Sequence, residues 1–411
     1  MKWLLCTVSV AVLALDFFVI SDAHLDLTYV DKALPETRCR VLVPSQEERS
    51  MGRAGCDLPE TLLQSAFSEA KDINSDPDFI VLPGDFLPHH LERTGVEEVR
   101  KTFRTVVEKL REHFPSSQVV LALGNNDALH LSRPSDLSAD LAFLSELWTP
   151  VTGSLPASFL SYGYYSTLTR SGHLAVSLNT NYFSIHTADH SEAANEQLNW
   201  LEAQLQAAQA ENRKAILVMH HPPCPGMFRG NRYDWHACYI TQFEAIVERC
   251  AGSIELMLAG HQHKGGFQLL PKSTQGVFVH AALSPVYGNN PGFRHYSISP
   301  TKQDYTDFFY RLDFAQPYWE AHFRYSDFFG LNSFDFQQMY ERLAADDTEE
   351  LYQYLRFAHG LGDAATSREV FWQIAVGLEE ETDMKRTALC AYKYMSNFDF
   401  ELCKWGMLST N

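Results

Sequence analysis

Positive charge is scarce in this chain. It carries 33 Lys and Arg against 51 Asp and Glu, a formal net charge of −18 with a pI near 5.3. That deficit argues against non-specific binding to nucleic acid or to anionic membranes, both of which draw on clustered cations. The sequence also has no Asn-x-Ser/Thr sequon, so N-glycosylation is not expected. Low-complexity linkers and internal repeats are missing too. After residue 15 no apolar run is long enough to span a bilayer, and Lys404 to Asn411 does not read as a lipid-anchor tail. Hydrophobic residues make up 45% of the 411, which excludes a disordered chain and provides for a large core.

The one long apolar stretch, Trp3 to Leu15 behind Lys2, reads as a secretory signal with cleavage near Ala14. A signal anchor is the alternative. Residues 1–16 are therefore set apart. The chain that follows is expected to form a catalytic domain over 17–315 and a helical lobe over 316–411. Seven cysteines remain beyond Cys6. Local spacing suggests Cys39–Cys56, Cys224–Cys238 and Cys390–Cys403, with Cys250 free, although spacing alone leaves connectivity open.

Five short clusters rich in His, Asp and Asn carry the chemistry. They are Asp22-Ala23-His24; Gly84-Asp85 with His89 and His90; Gly124-Asn125-Asn126-Asp127; His220-His221; and Gly260-His261-Gln262-His263. Each follows an apolar run of the kind that forms a buried strand, such as Phe17 to Ile20, Phe79 to Leu82, or Ala215 to Met219. Potential ligands thus gather at the carboxyl ends of strands, where open α/β sheets bind ligands. A single His-x-His is more often a surface or satisfied core pair than a ligand. Five clusters together, offering imidazole, carboxylate and amide, point to two divalent cations: zinc first, with iron or manganese also suited. Two such ions sharing a carboxylate can clamp a phosphoryl group and generate hydroxide near neutral pH.

Between the strand-like runs lie amphipathic segments. Helices are expected over Pro59 to Asp72, Val96 to Phe114, Glu196 to Ala210 and Ile240 to Arg249. Later strands are expected over Val277 to Leu283, around Tyr296 to Ile298 and over Phe308 to Phe314, extending a second sheet. From about Tyr318 the texture turns helical and aromatic, with Trp319 and Trp372 read as core. The pattern is α/β, a layered β-sandwich flanked by helices with a C-terminal helical lobe. The loop from Pro222 to Ala237, with Arg229 and Arg232, reads as a substrate contact or a solvated loop.

The five clusters resemble the calcineurin-like metallophosphoesterase pattern, and more closely the acid sphingomyelinase-like phosphodiesterases. Gly55-Cys56-Asp57-Leu58-Pro59, His221-Pro222-Pro223 and Asn290-Pro291-Gly292-Phe293-Arg294 carry that closer likeness. So do Ser177-Leu178-Asn179-Thr180-Asn181 and the spacing of Cys390 to Cys403. The resemblance implies one ion held by Asp22, His24, Asp85 and His263. It implies a second held by Asp85, Asn125, His220 and His261, with Asp85 bridging. His89 matches the histidine that the family places beside the substrate phosphate. His90 and His221 have no match and are expected beside the ligands or facing solvent. With the signal, the resemblance implies disulfides formed in an oxidising lumen, and a secreted enzyme or one of an acidic lysosome- or vacuole-like compartment.

One position departs from the family. Asn126 stands where its Gly-Asn-His motif places a proton-donating histidine. An amide donates a hydrogen bond but delivers no proton. That loss is severe for an alkoxide leaving group and mild for a phosphate one. His89 or His130 could supply the proton instead. Gly-Asn-Asn-Asp also resembles the fungal vacuolar endopolyphosphatases. Only 21 residues precede Asp22, too few for a saposin-type lipid-delivering domain. The expected function is therefore hydrolysis of soluble phosphodiesters or phosphoanhydrides such as nucleotides. An endopolyphosphatase is the second reading, and a catalytically weakened metal- or nucleotide-binding protein the third.

Overall fold

The computed structural model describes residues 14–410 except 91–94, 128–133, 188–190, 227–231, 313, 346–347, 359, 361–380 and 396. The signal-like segment up to residue 13, His130, Arg229 and Trp372 therefore lie outside the described residues.

The first half supplies β1 (Leu15–Val19), α1 (Glu60–Ile73), β2 (Phe79–Leu82), α2 (Val96–His113), β3 (Gln118–Leu121), α3 (Pro134–Thr152), α4 (Ala157–Tyr162), β4 (Tyr165–Leu168), β5 (Leu174–Ser177), α5 (Ser191–Ala210) and β6 (Ala215–Met219). The second half supplies a two-residue pair β7 and β8 (Pro225–Gly226, Arg232–Tyr233), α6 (Ala237–Cys250), β9 (Ile254–Ala259), β10 (Gly266–Leu269), β11 (Gly276–Val279), β12 (Gly292–Ile298), β13 (Gln303–Tyr310) and β14 (Trp319–Arg324). Short helices follow: α7 (Tyr325–Phe329), α8 (Phe336–Ala344), α9 (Thr348–Ala358), then Glu381–Lys393 and Asn397–Lys404.

Two six-stranded mixed sheets result, in the orders β14-β13-β12-β1-β2-β3 and β10-β11-β9-β6-β5-β4. Strands β1, β2 and β3 run parallel, as do β5, β6, β9 and β11. Side-chain alternation explains the layering. Phe17, Val19, Phe79, Val81 and Val120 share one apolar cluster with Ile216, Val218, Leu256, Leu258 and Phe278 of the other sheet. Their neighbours Phe18, Ile20, Ile80, Leu82 and Leu121 turn outward to Leu62, Leu63 and Phe67 of α1 and Phe103, Val107 and Leu110 of α2. On the second sheet Leu217, Met219 and Met257 meet Leu198 and Leu201 of α5 and Phe243 of α6. The architecture is the α/β sandwich flanked by helices that the clusters imply.

Some elements differ from the sequence reading. Val277 does join the second sheet, but β12 pairs with β1 and β13 with β12, so they extend the first. Helix α3 occupies a stretch with no marked periodicity of its own; its Leu141, Leu144 and Trp148 seal the α2 side of the core. Trp319 lies in a strand, where its indole N–H donates to Ser65 Oγ at 2.9 Å. Cys39–Cys56 and Cys390–Cys403 are bridged as expected. The Cys224–Cys238 bridge is not formed. Cys224 is buried and accepts a weak hydrogen bond from Gln262, whereas Cys238 is exposed on the first turn of α6. Cys250 is free and buried, as expected.

Candidate metal centre

All five clusters sit just past strand ends: Asp22 after β1, Asp85 after β2, Asn125 after β3, His220 after β6 and His261 after β9. There the chain leaves the sheets but keeps hydrogen bonding between neighbouring segments. Asp22 N–H donates to Gly84 O, His24 N–H to Asp85 O and Gly260 N–H to His220 O. The His261 N–H donates to both oxygens of Asp22 at 3.0 Å. These turns need left-handed backbone. Asp22, His24, Asp85, His261 and His263 all have φ between 42° and 69°. They are five of the nine non-glycine residues with positive φ among those described. Such conformations are held only where the surroundings over-determine them, and they concentrate at functional sites.

The side chains converge in two trios around Asp85. On one side His24 Nε2 lies 3.0 Å from His263 Nε2 and 3.4 Å from Asp85 Oδ2, and Asp22 Oδ1 is 3.7 Å from His263 Nε2. On the other, His220 Nε2 lies 3.0 Å from Asn125 Oδ1, 3.2 Å from His261 Nδ1 and 3.4 Å from Asp85 Oδ2. Every residue of the two expected ligand sets is thus brought together, and Asp85 Oδ2 stands between the sets.

Protonation favours cation binding. Burial works against the Asp85 charge, yet His220 and His24 hold its pKa well below the usual carboxylate range. Burial keeps His24 and His263 neutral. His220 is the exception: burial would lower it, but the Asp85 carboxylate raises it to about 9. A cation at this place would take over the role of that proton. Two imidazoles meeting nitrogen to nitrogen at 3.0 Å, both buried, need either a shared proton or a cation between them. The set of imidazoles, carboxylates and one amide fits a pair of borderline divalent metals; atoms of Asp22, Asp85 and His220 lie close enough to share an ion, as do those of His24, His89 and His263 and of His220, His221 and His261.

His89 is half-buried beside the first trio. Its ring stacks on His24 with centroids 4.1 Å apart, and its Nε2 approaches the Tyr287 hydroxyl at 3.3 Å. Asp57 accepts from both the His89 backbone N–H and Nδ1, each at 2.8 Å. His90 is exposed. His221 does not face solvent: it is buried, its N–H donates to Thr180 Oγ1, and its ring lies against His261 at 4.3 Å. Asn126 is turned toward Asp85. Its backbone N–H reaches Asp85 Oδ1 at 2.8 Å and its side-chain amide donates to Oδ2 at 2.7 Å.

Two supporting residues escaped the sequence reading. Asp127 accepts from the N–H groups of Asp85, Phe86, Leu87 and Gly124 at 2.7 to 3.2 Å. Burial and the Asp85 charge push its pKa up, to about 7, while the four donors favour the ionised form. Asp127 was in view within its cluster, but nothing local marks it as the brace of the Asp85 turn. Asp234 lies 3.3 Å from His261 Nε2 and had no signal at all, being a lone acid in a polar loop. In that loop Arg232 pairs through its backbone with Gly226.

The sequence model of the family described as calcineurin-like phosphoesterase matches residues 15–265. The chain is 26% identical over 398 residues to human acid sphingomyelinase-like phosphodiesterase 3b, covering 86% of each chain. It is 28% identical over 270 residues to sphingomyelinase phosphodiesterase D of Dictyostelium discoideum, covering 62% of this chain but only 60% of that protein. Among solved structures it is similar to a dimetal phosphatase from Danio rerio, with a TM-score of 0.48 and 16% identity over 71% of this chain and 95% of that one.

Proposed function

Because the chain belongs to the calcineurin-like phosphoesterase family, whose match covers residues 15–265, we propose that it is a dinuclear-metal phosphodiesterase of the acid sphingomyelinase-like kind, acting on soluble phosphodiester or phosphoanhydride compounds such as nucleotides. The observation that carries this reading is the meeting of two ligand trios at one carboxylate oxygen of Asp85. Asp22, His24, Asp85 and His263 would hold one ion, and Asp85, Asn125, His220 and His261 the other. Bound there, two divalent ions supply Lewis-acid activation of water and neutralise charge developing on phosphorus.

The chain's own residues position and protonate. Asp57 is ionised, its pKa lowered mainly by the His89 hydrogen bond against the effect of burial. It therefore holds a proton on His89 Nδ1 and leaves Nε2 facing the hydroxyl of Tyr287, an exposed residue. Protonated at Nε2, His89 can deliver a proton to a departing oxygen. Asn126 gives no proton and spends donors on Asp85. Catalysis then rests on His89 or on a leaving group that departs unaided. Phosphoanhydrides and activated esters meet the second condition, which supports nucleotide-like substrates over alkyl phosphodiesters.

An endopolyphosphatase is the second reading, favoured by the Gly124-Asn125-Asn126-Asp127 spelling. A catalytically weakened binding protein is less well supported, because a complete ligand constellation has no structural task. Two disulfides support passage through an oxidising compartment and so a secreted or lumenal location. No helix among the described residues is long and apolar enough to cross a membrane. The test is a side-by-side assay of metal-loaded protein on ATP, polyphosphate, a nitrophenyl phosphodiester and sphingomyelin, from mildly acidic to neutral pH. Fast cleavage of ATP is expected. Preference for long polyphosphate would favour the second reading, and sphingomyelin as best substrate would overturn the soluble-substrate one.

A further inference from the structure

The histidines of the two trios are not backed alike. His24 and His220 each place Nδ1 against a backbone carbonyl, Leu87 O and Pro83 O, both at 2.9 Å. His263 Nδ1 is buried with no hydrogen-bond partner. His261 alone of the four, among the described residues, faces a carboxylate through its outer nitrogen: Nε2 lies 3.3 Å from Asp234 Oδ1. Its inner nitrogen, Nδ1, points at His220 Nε2.

Asp234 is held for this task. It is 5% exposed, and its second oxygen is buried without a partner. Its carbonyl accepts from Ile185 N–H at 3.0 Å. The next residue, Trp235, is fully buried and donates its indole N–H to His221 O at 3.1 Å. His236 N–H then donates to Phe183 O. A carboxylate so anchored costs desolvation free energy, and its other oxygen gains no hydrogen bond in return. Among the described residues its close partner is a ring nitrogen, His261 Nε2.

We propose that Asp234 is a positioning residue for the cation that His220 and His261 would hold: it fixes the His261 proton on Nε2, leaves the Nδ1 lone pair directed at the ion, and strengthens that lone pair through its negative charge. The proposal rests on the dinuclear reading above. It makes the two ions unequal, since the His24–His263 trio has no carboxylate behind either ring. An outer carboxylate of this kind is worth about 10- to 100-fold in metal affinity.

The experiment titrates full-length apo protein with Zn²⁺ against a chromophoric chelator, for the unmodified chain, Asp234→Ala and Asp234→Asn. Near-UV circular dichroism of each variant reports on its fold. With Asp234→Ala one ion should bind about 10- to 100-fold more weakly while the other keeps its affinity. Asp234→Asn retains an acceptor for Nε2–H without the charge, so its loss should be smaller. Unchanged affinities in Asp234→Ala would overturn the inference while leaving the dinuclear centre standing. Equal weakening of both ions with an altered spectrum would also overturn it, since Asp234 would then only hold the loop. An unmodified chain that takes up no Zn²⁺ would sink both readings, and that outcome is seen before any variant is made.

Discussion

Asp57 receives His89 twice, through the backbone N–H and through ring Nδ1, both at 2.8 Å. The pairing fixes a histidine from the β2 loop against a carboxylate from the turn closed by Cys39–Cys56. Burial opposes the Asp57 charge, but the hydrogen bond from His89 leads the effects that bring its pKa below the ordinary value. A depressed carboxyl pKa stabilises the fold above the unfolded value, about 3.9, and the gain is lost as pH falls through the folded value. Asp57→Asn should therefore lower stability by about 2 kcal/mol at neutral pH. The gap to the unmodified protein should hold down to about pH 4 and narrow below it. Thermal unfolding across pH checks this. A gap that stays constant as pH falls well below about 4 would contradict the assignment to the Asp57 carboxylate. Turnover should also fall, by about 10²-fold, if His89 supplies the proton.

Gly84 and Gly124 meet back to back beneath Asp85. Gly84 has φ of 105°, and a Cβ there would stand 2.5 Å from Gly124 N and 2.8 Å from its Cα. A Cβ on Gly124 would reach Asp85 Oδ1 at 2.1 Å. Backbone on both sides leaves no room to yield. Gly84→Ala should cost on the order of 3 kcal/mol and displace Asp85, so that metal uptake falls with stability. Urea unfolding and metal analysis of one preparation test both. An alanine variant as stable and as metal-rich as the parent would show that the two turns can separate.

Leaving-group preference tests the role of position 126. Nitrophenyl esters and phosphoanhydrides should react much faster than alkyl phosphodiesters. Asn126→His should raise the alkyl rates most, by about 10²-fold, the low end of general-acid effects. Its side chain also releases Asp85, so bound metal should be measured alongside. Equal rates on both substrate classes in the unmodified protein would show that another donor already serves.

Thiol chemistry tests the cysteine assignment. Beyond Cys6, native protein should present one reactive thiol, Cys238, with Cys224 and Cys250 reacting only on unfolding. Burial raises the Cys224 thiol pKa well above the usual range, which further suppresses its reactivity. Cys390→Ser opens a short loop and should cost about 3 kcal/mol, measured by denaturant unfolding. Two reactive native thiols after a clean Cys224 modification would contradict the buried placement.

Much of the site was legible before folding was considered, because each cluster of ligand types follows an apolar run and the runs alternate with helical segments. Within those clusters the family resemblance singled out Asp22, His24, Asp85, Asn125, His220, His261 and His263. What could not be read is what braces them. Asp127, Asp57 and Asp234 reach their partners across 42, 32 and 27 residues of sequence through backbone N–H groups or ring nitrogens, a relation no local spacing encodes. The placement of β12 and β13 was likewise hidden, since strand texture gives a strand's existence and not its neighbour. Cys224–Cys238 misled because short spacing ignores which side of the chain is buried.

The most direct measurement is metal stoichiometry with and without the shared carboxylate. Purified full-length protein, loaded and freed of excess ion, should hold two divalent ions per chain by elemental analysis and cleave a nitrophenyl phosphodiester. Asp85→Asn removes the charge that His24 and His220 both face at 3.4 Å. That variant should hold less than its full complement and lose turnover. Two tightly bound ions and undiminished activity in Asp85→Asn would contradict the account at its centre.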